Sequence, residues 1–205
     1  MTELQKFDAG FNGILIGIDE AGRGPLAGPV VAAAVRAGPE AYALFEDVND
    51  SKKLTAARRE KIFERVLEHK IPYGVGFASH AEIDGLNILQ ATFLAMRRAA
   101  QKFFTLPEAR ALVDGNREIK NFPLPQTTVV DGDAKSFSVA LASVIAKVTR
   151  DRYMTMIDAM YPQYGFAAHK GYGCASHIAA INKYGPCKEH RKSFAPVREL
   201  ELFHE

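Results

Sequence analysis

An α/β domain built on a mixed sheet is the fold class this sequence predicts, and three observations predict it. Short apolar runs of buried-strand composition recur along the chain. Three longer segments repeat apolar residues at helical spacing. The strands lie close together at first and then alternate with the helices.

The first strand is ILIGID at 14–19, whose Ile14, Leu15, Ile16 and Ile18 suit a buried sheet. The Gly/Pro-punctuated turn GRGPLAGP follows, and VVAAAV at 30–35 is the second strand. Asp50 and Ser51 make a turn before the basic pair Lys52-Lys53. Thr55 is the expected N-cap of a helix reaching about His69, with Ile62, Phe63, Val66 and Leu67 at helical spacing. YGVGFA at 73–78 reads as a third strand, and Leu89, Phe93, Met96 and Ala100 mark one face of a second helix. ALVD (111–114) and TTVV (127–130) are short strands separated by a Pro-containing loop. From about Phe137 to Tyr161 a long helix carries Leu141, Ile145, Val148, Met156 and Met160 on one side, and Pro162 stops it.

No repeat, low-complexity tract or linker divides the 205 residues, so the chain is read as one domain, 1–205. A hydrophobic share of 47% with 24% charged residues excludes a disordered or fibrous chain. The net charge of +2 is too small to imply a nucleic-acid partner by itself. Lys147, Arg150 and Arg152, and KEHRK at 188–192, concentrate positive charge locally and are read as solvated surface. Cys174 and Cys187 lack metal-ligand spacing and fit a reducing compartment. The N-terminus has no signal-peptide pattern, and no apolar run approaches the roughly 18 residues of a membrane span. The expectation is a soluble cytoplasmic protein.

The acids carry the chemistry. Asp19 and Glu20 end the first apolar strand, although an ionised carboxylate costs several kcal/mol to desolvate without a partner. Inside a regular strand the two would face opposite ways, so Gly22 and Gly24 are expected to release the backbone and let both turn to one point. LVDG places Asp114 at the end of another strand, and VVDGD places Asp131 and Asp133 at the end of a third. Strand ends are where ligands collect in open α/β sheets. Carboxylates gathered there repel one another unless a hard cation such as Mg²⁺ or Mn²⁺ neutralises them. Asp50, Asp151 and Asp158 are read as caps or ion-pair partners. Spacing alone thus points to a metal-dependent hydrolase.

GIDEAGRGPLAGPV, NDSKKL, EIDGLNIL, LVDGN, ASVIAKVTRD, YPQYGF, HKGYG and HRKSFAPV, in that order, resemble the bacterial ribonuclease HII family over roughly Leu15 to Val197. The resemblance implies a ribonuclease-H-like fold: a five-stranded mixed sheet flanked by helices, with additional C-terminal helices (about 174–205) packed on it. It implies four catalytic, metal-binding carboxylates, Asp19, Glu20, Asp114 and Asp133, and two divalent ions. Where the family usually has Lys-Gly-Asp this chain has Asp131-Gly132-Asp133, and the position after Gly132 assigns the ligand role to Asp133. The implied reaction is hydrolysis of RNA paired with DNA, including incision 5′ of a single ribonucleotide in duplex DNA.

The resemblance also assigns substrate binding. The backbone of Gly22-Arg23-Gly24 approaches the sugar and reads its 2′-hydroxyl, and Tyr172 stacks on the following sugar. Arg23 and Lys52 take phosphates. His169, His177 and His190 are read as structural or phosphate-adjacent. Glu199-Leu200-Glu201-Leu202-Phe203 is similar to the Gln-Leu-x-Leu-Phe pentapeptide that docks replication proteins onto the sliding clamp, with packing of a last helix after Pro196 as its alternative. The chain is expected to act as a monomer. Two rival functions remain open: a DNA exonuclease or resolvase of the same fold, and a hybrid-binding protein that does not cleave.

Overall fold

The computed structural model describes residues 1–201, without the side chains of Leu200 and Glu201. The tail read as a clamp-docking segment, 199–203, therefore lies largely outside the described residues. Along the chain come α1 (Glu3–Ala9), β1 (Ile14–Ala21), β2 (Val30–Arg36), α2 (Pro39–Tyr42), α3 (Ala56–Glu68), β3 (Tyr73–Ala78), α4 (His80–Leu86), α5 (Ile88–Ala100), β4 (Ala109–Asp114), β5 (Gln126–Val129), α6 (Phe137–Asp158), α7 (Phe166–His169), α8 (Ala175–Tyr184) and α9 (Val197–Glu201). The five strands form one mixed sheet in the order β3-β2-β1-β4-β5. β1, β2 and β3 are an antiparallel meander, while β4 and β5 run parallel to β1. The parallel neighbours need crossovers, and α4–α5 supply the one from β3 to β4.

Alternation along the strands divides the core between the two faces. Ile16, Ile18, Ala32 and Ala34 pack with Phe93, Ala95, Met96 and Ala99 of α5. Ala33 and Val35 face Ile62, Phe63 and Val66 of α3 and Leu141, Val144, Ile145 and Val148 of α6. Gly17 is where α6 presses closest, since a Cβ there would overlap the Ser138 carbonyl. That close contact seats the start of α6 over the middle of β1, so that Ser143, further along the helix, reaches Asp19.

The long helix differs from its predicted stripe. Met156 and Met160 are exposed, while Met154 and Ile157 are buried in their place. Beyond Val148 the helix leaves the sheet and meets a third cluster: Leu26 and Ala27 from the β1–β2 loop, Tyr164, Phe166, Ile181 and Val197. Its buried face turns accordingly, and the helix ends at Asp158, before Pro162. The β1–β2 loop thus rests on the C-terminal elements.

Candidate active site

β1 runs through Glu20 to Ala21, two residues past its predicted end, with Asp19 paired to Ala33 and Glu20 to Ala32. Asp19 and Glu20 are therefore inside a regular strand, and the expectation that glycines free both to turn together is corrected. They leave the strand on opposite sides, Asp19 toward Ser51, Ser143 and Lys147 and Glu20 bordering Leu89, Phe93 and Met96 as well, yet both line the one cleft at its end. β4 brings them together. Parallel pairing sets Ile18 beside Val113, so Asp114 follows next to Asp19 at the edge where both strands end. One oxygen from each of Asp19, Glu20 and Asp114 lies within 4.8 Å of the others.

Holding three carboxylates this close costs energy, and their ionisation records it. Burial pushes the Asp19 carboxyl well above its ordinary range, and the charges of Glu20 and Asp114 push it further. The Glu20 N–H, 2.6 Å from Asp19 Oδ1, and the Ser143 hydroxyl oppose the shift. Ser143 is itself bonded to the Ser51 hydroxyl at 2.7 Å. Glu20 is also raised by burial, and Arg23, whose Nη1 lies 3.4 Å from Glu20 Oε1, pulls it partly back. Burial raises Asp114 too, against a 2.7 Å hydrogen bond donated by the Gly132 N–H. Glycine lets the two approach this closely, since a Cβ at position 132 would stand a tight 3.1 Å from Asp114 Oδ1.

The fourth acid stands aside. Asp133 is buried, but Oδ2 accepts from Lys52 Nζ at 3.0 Å rather than joining the three-acid cluster. This hydrogen bond is the main reason the exposed Lys52 ammonium is raised. Asp131 is exposed and left-handed, with φ of 55°. An all-oxygen, anionic donor set at a sheet edge fits a hard divalent cation and no soft one.

The cleft around these acids, of about 270 Å³, brings together every residue assigned to the substrate: Gly22, Arg23, Gly24, Lys52 and Tyr172. Arg23, Gly24, Lys52 and Tyr172 are exposed, so all four are open to a ligand. Gly22 has φ of 97°, and a Cβ there would overlap the Arg150 guanidinium. Arg59, not singled out from sequence, and Lys147, read there as solvated surface, also line the cleft. Asp151 holds Lys147 at 2.7 Å, and Asp50 accepts from the Lys52 N–H, as expected of caps and partners.

Two residues read as solvated are fully buried. Arg150 donates to the carbonyls of Pro29, Lys170 and Ala27, at 3.0, 2.9 and 3.1 Å. Arg191 donates to those of Gly28, Arg23 and Gly22, at 2.9, 2.8 and 2.6 Å. Burial lowers their guanidinium pKa values to about 10 and about 9. A signal for Arg150 was present in the spacing of Ala146, Arg150, Met154 and Ile157, all buried on one line of α6. No comparable periodicity marks Arg191. His177 and His190 are buried and held neutral, each pushed down to about 4 chiefly by burial.

Residues 16–197 match the family model for Ribonuclease HII. The Ribonuclease HII of Syntrophotalea carbinolica is 55% identical over 187 residues, covering 90% of this chain and 87% of that protein. The crystal structure of the ribonuclease H2 from Pyrococcus horikoshii OT3 is similar with a TM-score of 0.71 and 27% identity, over 94% of this chain and 99% of that one. The RNase HII in a PCNA:RNase HII complex from Archaeoglobus fulgidus has a TM-score of 0.71 and 26% identity, over 88% of this chain and 95% of that one.

Proposed function

The chain belongs to the ribonuclease HII family and is a ribonuclease, and from that premise we propose that it hydrolyses the RNA strand of RNA–DNA hybrids and incises duplex DNA 5′ of a single embedded ribonucleotide. The products carry 3′-hydroxyl and 5′-phosphate ends, and the role is removal of misincorporated ribonucleotides and RNA primers. One observation carries the reading: Asp19, Glu20 and Asp114 converge at a sheet edge, in the same cleft as the Gly22–Gly24 backbone.

These three acids, with Asp133, would hold two divalent ions, Mg²⁺ or Mn²⁺, which when bound lower the pKa of the attacking water and stabilise the leaving 3′ oxygen. The chain's own residues bind and orient. Lys52 and Arg23, exposed at the rim and each against an acid of the site, take phosphates. The Gly22–Gly24 backbone meets the 2′-hydroxyl, and a deoxyribose leaves those polar groups unpaired. Tyr172 stacks on the next sugar. No protein nucleophile is needed, since the buried histidines are committed to internal hydrogen bonds. The whole chain acts as one catalytic domain, a monomer in the cytoplasm.

The decisive substrate is duplex DNA with one ribonucleotide, incubated with Mg²⁺ and with chelator. A single Mg²⁺-dependent cut on the 5′ side is expected; cutting of all-DNA duplex, or binding without cutting, would overturn the proposal.

The PCNA complex of the Archaeoglobus relative supports a second contact, Glu199-Leu200-Glu201-Leu202-Phe203 with a sliding clamp. Deleting residues 199–205 is expected to abolish clamp binding while leaving melting temperature and oligonucleotide cleavage unchanged. A melting temperature lowered by several degrees, with no clamp binding by the intact chain, would assign the segment to packing instead.

A further inference from the structure

The segment around HRKSF takes no part in the chemistry above, yet it is built into the cleft's underside. His190 pairs with Ala27 in an antiparallel bridge, and Arg191 N–H donates to Leu26 O at 2.8 Å. From the other side, Asp84 of α4 accepts from Lys192 N at 3.0 Å, Ser193 N at 2.9 Å and Ser193 Oγ at 2.6 Å. His190 and Arg191 are 1% and 0% exposed.

The Arg191 guanidinium donates three hydrogen bonds to carbonyls and, among the described residues, none to a carboxylate. Two of those carbonyls belong to Gly22 and Arg23. A trans peptide points its C=O and the next N–H in opposite directions. Holding the Gly22 and Arg23 oxygens inward therefore turns the Arg23 and Gly24 amides the other way, off the buried guanidinium. Burying a cation without a counter-ion costs several kcal/mol, offset here by three hydrogen bonds to carbonyls that an apolar side chain would leave stranded. Its return is a fixed backbone at Gly22–Gly24.

His190 reaches the other half of the cleft. Cys187 N–H donates to His190 Nδ1 at 2.9 Å, closer than the 3.3 Å from that nitrogen to Cys187 O, which assigns the proton to Nε2. His190 Nε2–H then donates to His177 Nε2 at 3.1 Å. This leaves the proton of His177 on Nδ1, which donates to Tyr172 O at 2.9 Å. The chain of bonds runs one way, from the Cys187 amide to the Tyr172 carbonyl.

We propose that His190 and Arg191 are paired positioning residues that seat the two halves of the ribose-reading surface, Arg191 the Gly22–Arg23 backbone and His190, through His177, Tyr172. The inference rests on the reading of Gly22–Gly24 and Tyr172 as the ribose-reading groups.

The test compares R191K, H190N and H190Q with the parent on duplex DNA carrying one ribonucleotide, well below the melting temperature. Lysine keeps the charge but not the fork. Asparagine keeps the acceptor for Cys187 and loses the donor to His177, whereas glutamine keeps that donor. R191K and H190N are expected to lower kcat/KM by about 10-fold or more, the size of effect that sub-ångström to 1 Å misplacement produces. H190Q is expected to retain most activity, and the rise in melting temperature on adding Mn²⁺ is expected to stay as in the parent for all three, since none touches Asp19, Glu20 or Asp114. Should R191K fail to fold, the H190N and H190Q pair decides. Values of kcat/KM within about threefold of the parent, or equal losses from H190N and H190Q, or a lost Mn²⁺ response, would overturn the inference. A parallel Y172F arm separates the failures: if it alone is impaired, this inference fails; if it is indistinguishable from the parent, the reading of the ribose surface fails first.

Discussion

Two charged centres flank the start of the β1–β2 loop, and they are built in opposite ways. The acidic one sets Asp19, Glu20 and Asp114 together with raised pKa values and meagre internal compensation. Lys52 is spent on Asp133, and Arg23 reaches Glu20 only at 3.4 Å. The basic one, Arg150, Arg191, His177 and His190, is buried and shifted too, but each member is hydrogen-bonded inside the protein to carbonyls or to its imidazole partner. A perturbed ionisation therefore does not by itself mark a ligand site. What separates the two is neutralisation: the acids accept hydrogen bonds, but their like charges face little counter-charge among the described residues, which a cation from outside would supply, whereas the bases are held by carbonyls and by one another and act as scaffold.

The largest expected effect breaks the acidic centre. Asp19→Asn or Asp114→Asn is expected to reduce single-turnover cleavage in Mg²⁺ by at least about 10³-fold, the scale of losing a metal-assisted step. Stability should move the other way. Relief of like-charge repulsion is expected to raise the melting temperature in chelator by about 2–4 °C, the response of a chain this size to ~1 kcal/mol. Near-normal cleavage by either variant would remove the acids from the site.

The same operation on the basic centre has the opposite sign. Arg150→Met fills the space but strands three carbonyls, each worth about 1–3 kcal/mol when left unsatisfied. A melting temperature lower by about 6 °C or more is expected from differential scanning fluorimetry. An unchanged value would mean that the guanidinium is no scaffold and that the contrast between the centres is unfounded.

Titration sharpens the contrast with a smaller effect. His177 and His190 have folded pKa values near 4 against an ordinary 6.5. The unfolded chain therefore takes up protons first, and stability falls as pH drops from about 6.5 toward 4. The acids have folded values above their ordinary ones, so the folded state takes up protons more readily and the acidic centre gains stability over the same descent. In chelator the two trends oppose each other in the parent. Asp19→Asn weakens the compensating one, so its melting temperature between pH 7.5 and pH 5 should fall further than the parent's, about 2 °C more if ~1 kcal/mol of compensation goes. Equal falls would show that the acidic cluster titrates ordinarily.

The contrast also explains what was legible in the sequence. Tyr73–Ala78 forms the strand that YGVGFA suggests, and Thr55 caps its helix by accepting from the Arg58 N–H. Asp19, Glu20, Asp114 and Asp133 stood out because an acid after an apolar run breaks the pattern around it. Arg150 and Arg191 did not, because arginines in a cluster of positive charge read as surface and their partners are backbone carbonyls, which carry no side-chain signature. The short helices α1 and α4 were missed for want of an apolar period, though Thr2 with Gln5 and Ser79 with Glu82 each form a capping box that three-residue spacing would have revealed. How Asp19 and Glu20 come together was misread for another reason. The partner that unites them is Asp114, on a strand that pairs with β1 only after a long crossover, and pairing of that kind is not written locally.

One residue belongs to both centres. Tyr172 presents its side chain to the acidic cleft, has the Arg150 guanidinium 6.0 Å from its ring centroid, and gives its carbonyl to His177. Removing only its hydroxyl leaves the ring for stacking and the carbonyl for the histidine relay, so Tyr172→Phe should disturb neither the scaffold nor metal binding. If Tyr172 reads the ribose as proposed, what is lost is a hydrogen bond from its hydroxyl to the 2′-hydroxyl, worth ~1 kcal/mol or about 5-fold in kcat/KM on a duplex with one ribonucleotide. A continuous RNA–DNA hybrid offers many registers, each with a 2′-hydroxyl at every neighbouring position, so its cleavage should fall less. Equal losses on the two substrates, measured side by side with the melting temperature unchanged, would detach Tyr172 from ribonucleotide recognition. It would then stand as part of the basic scaffold alone.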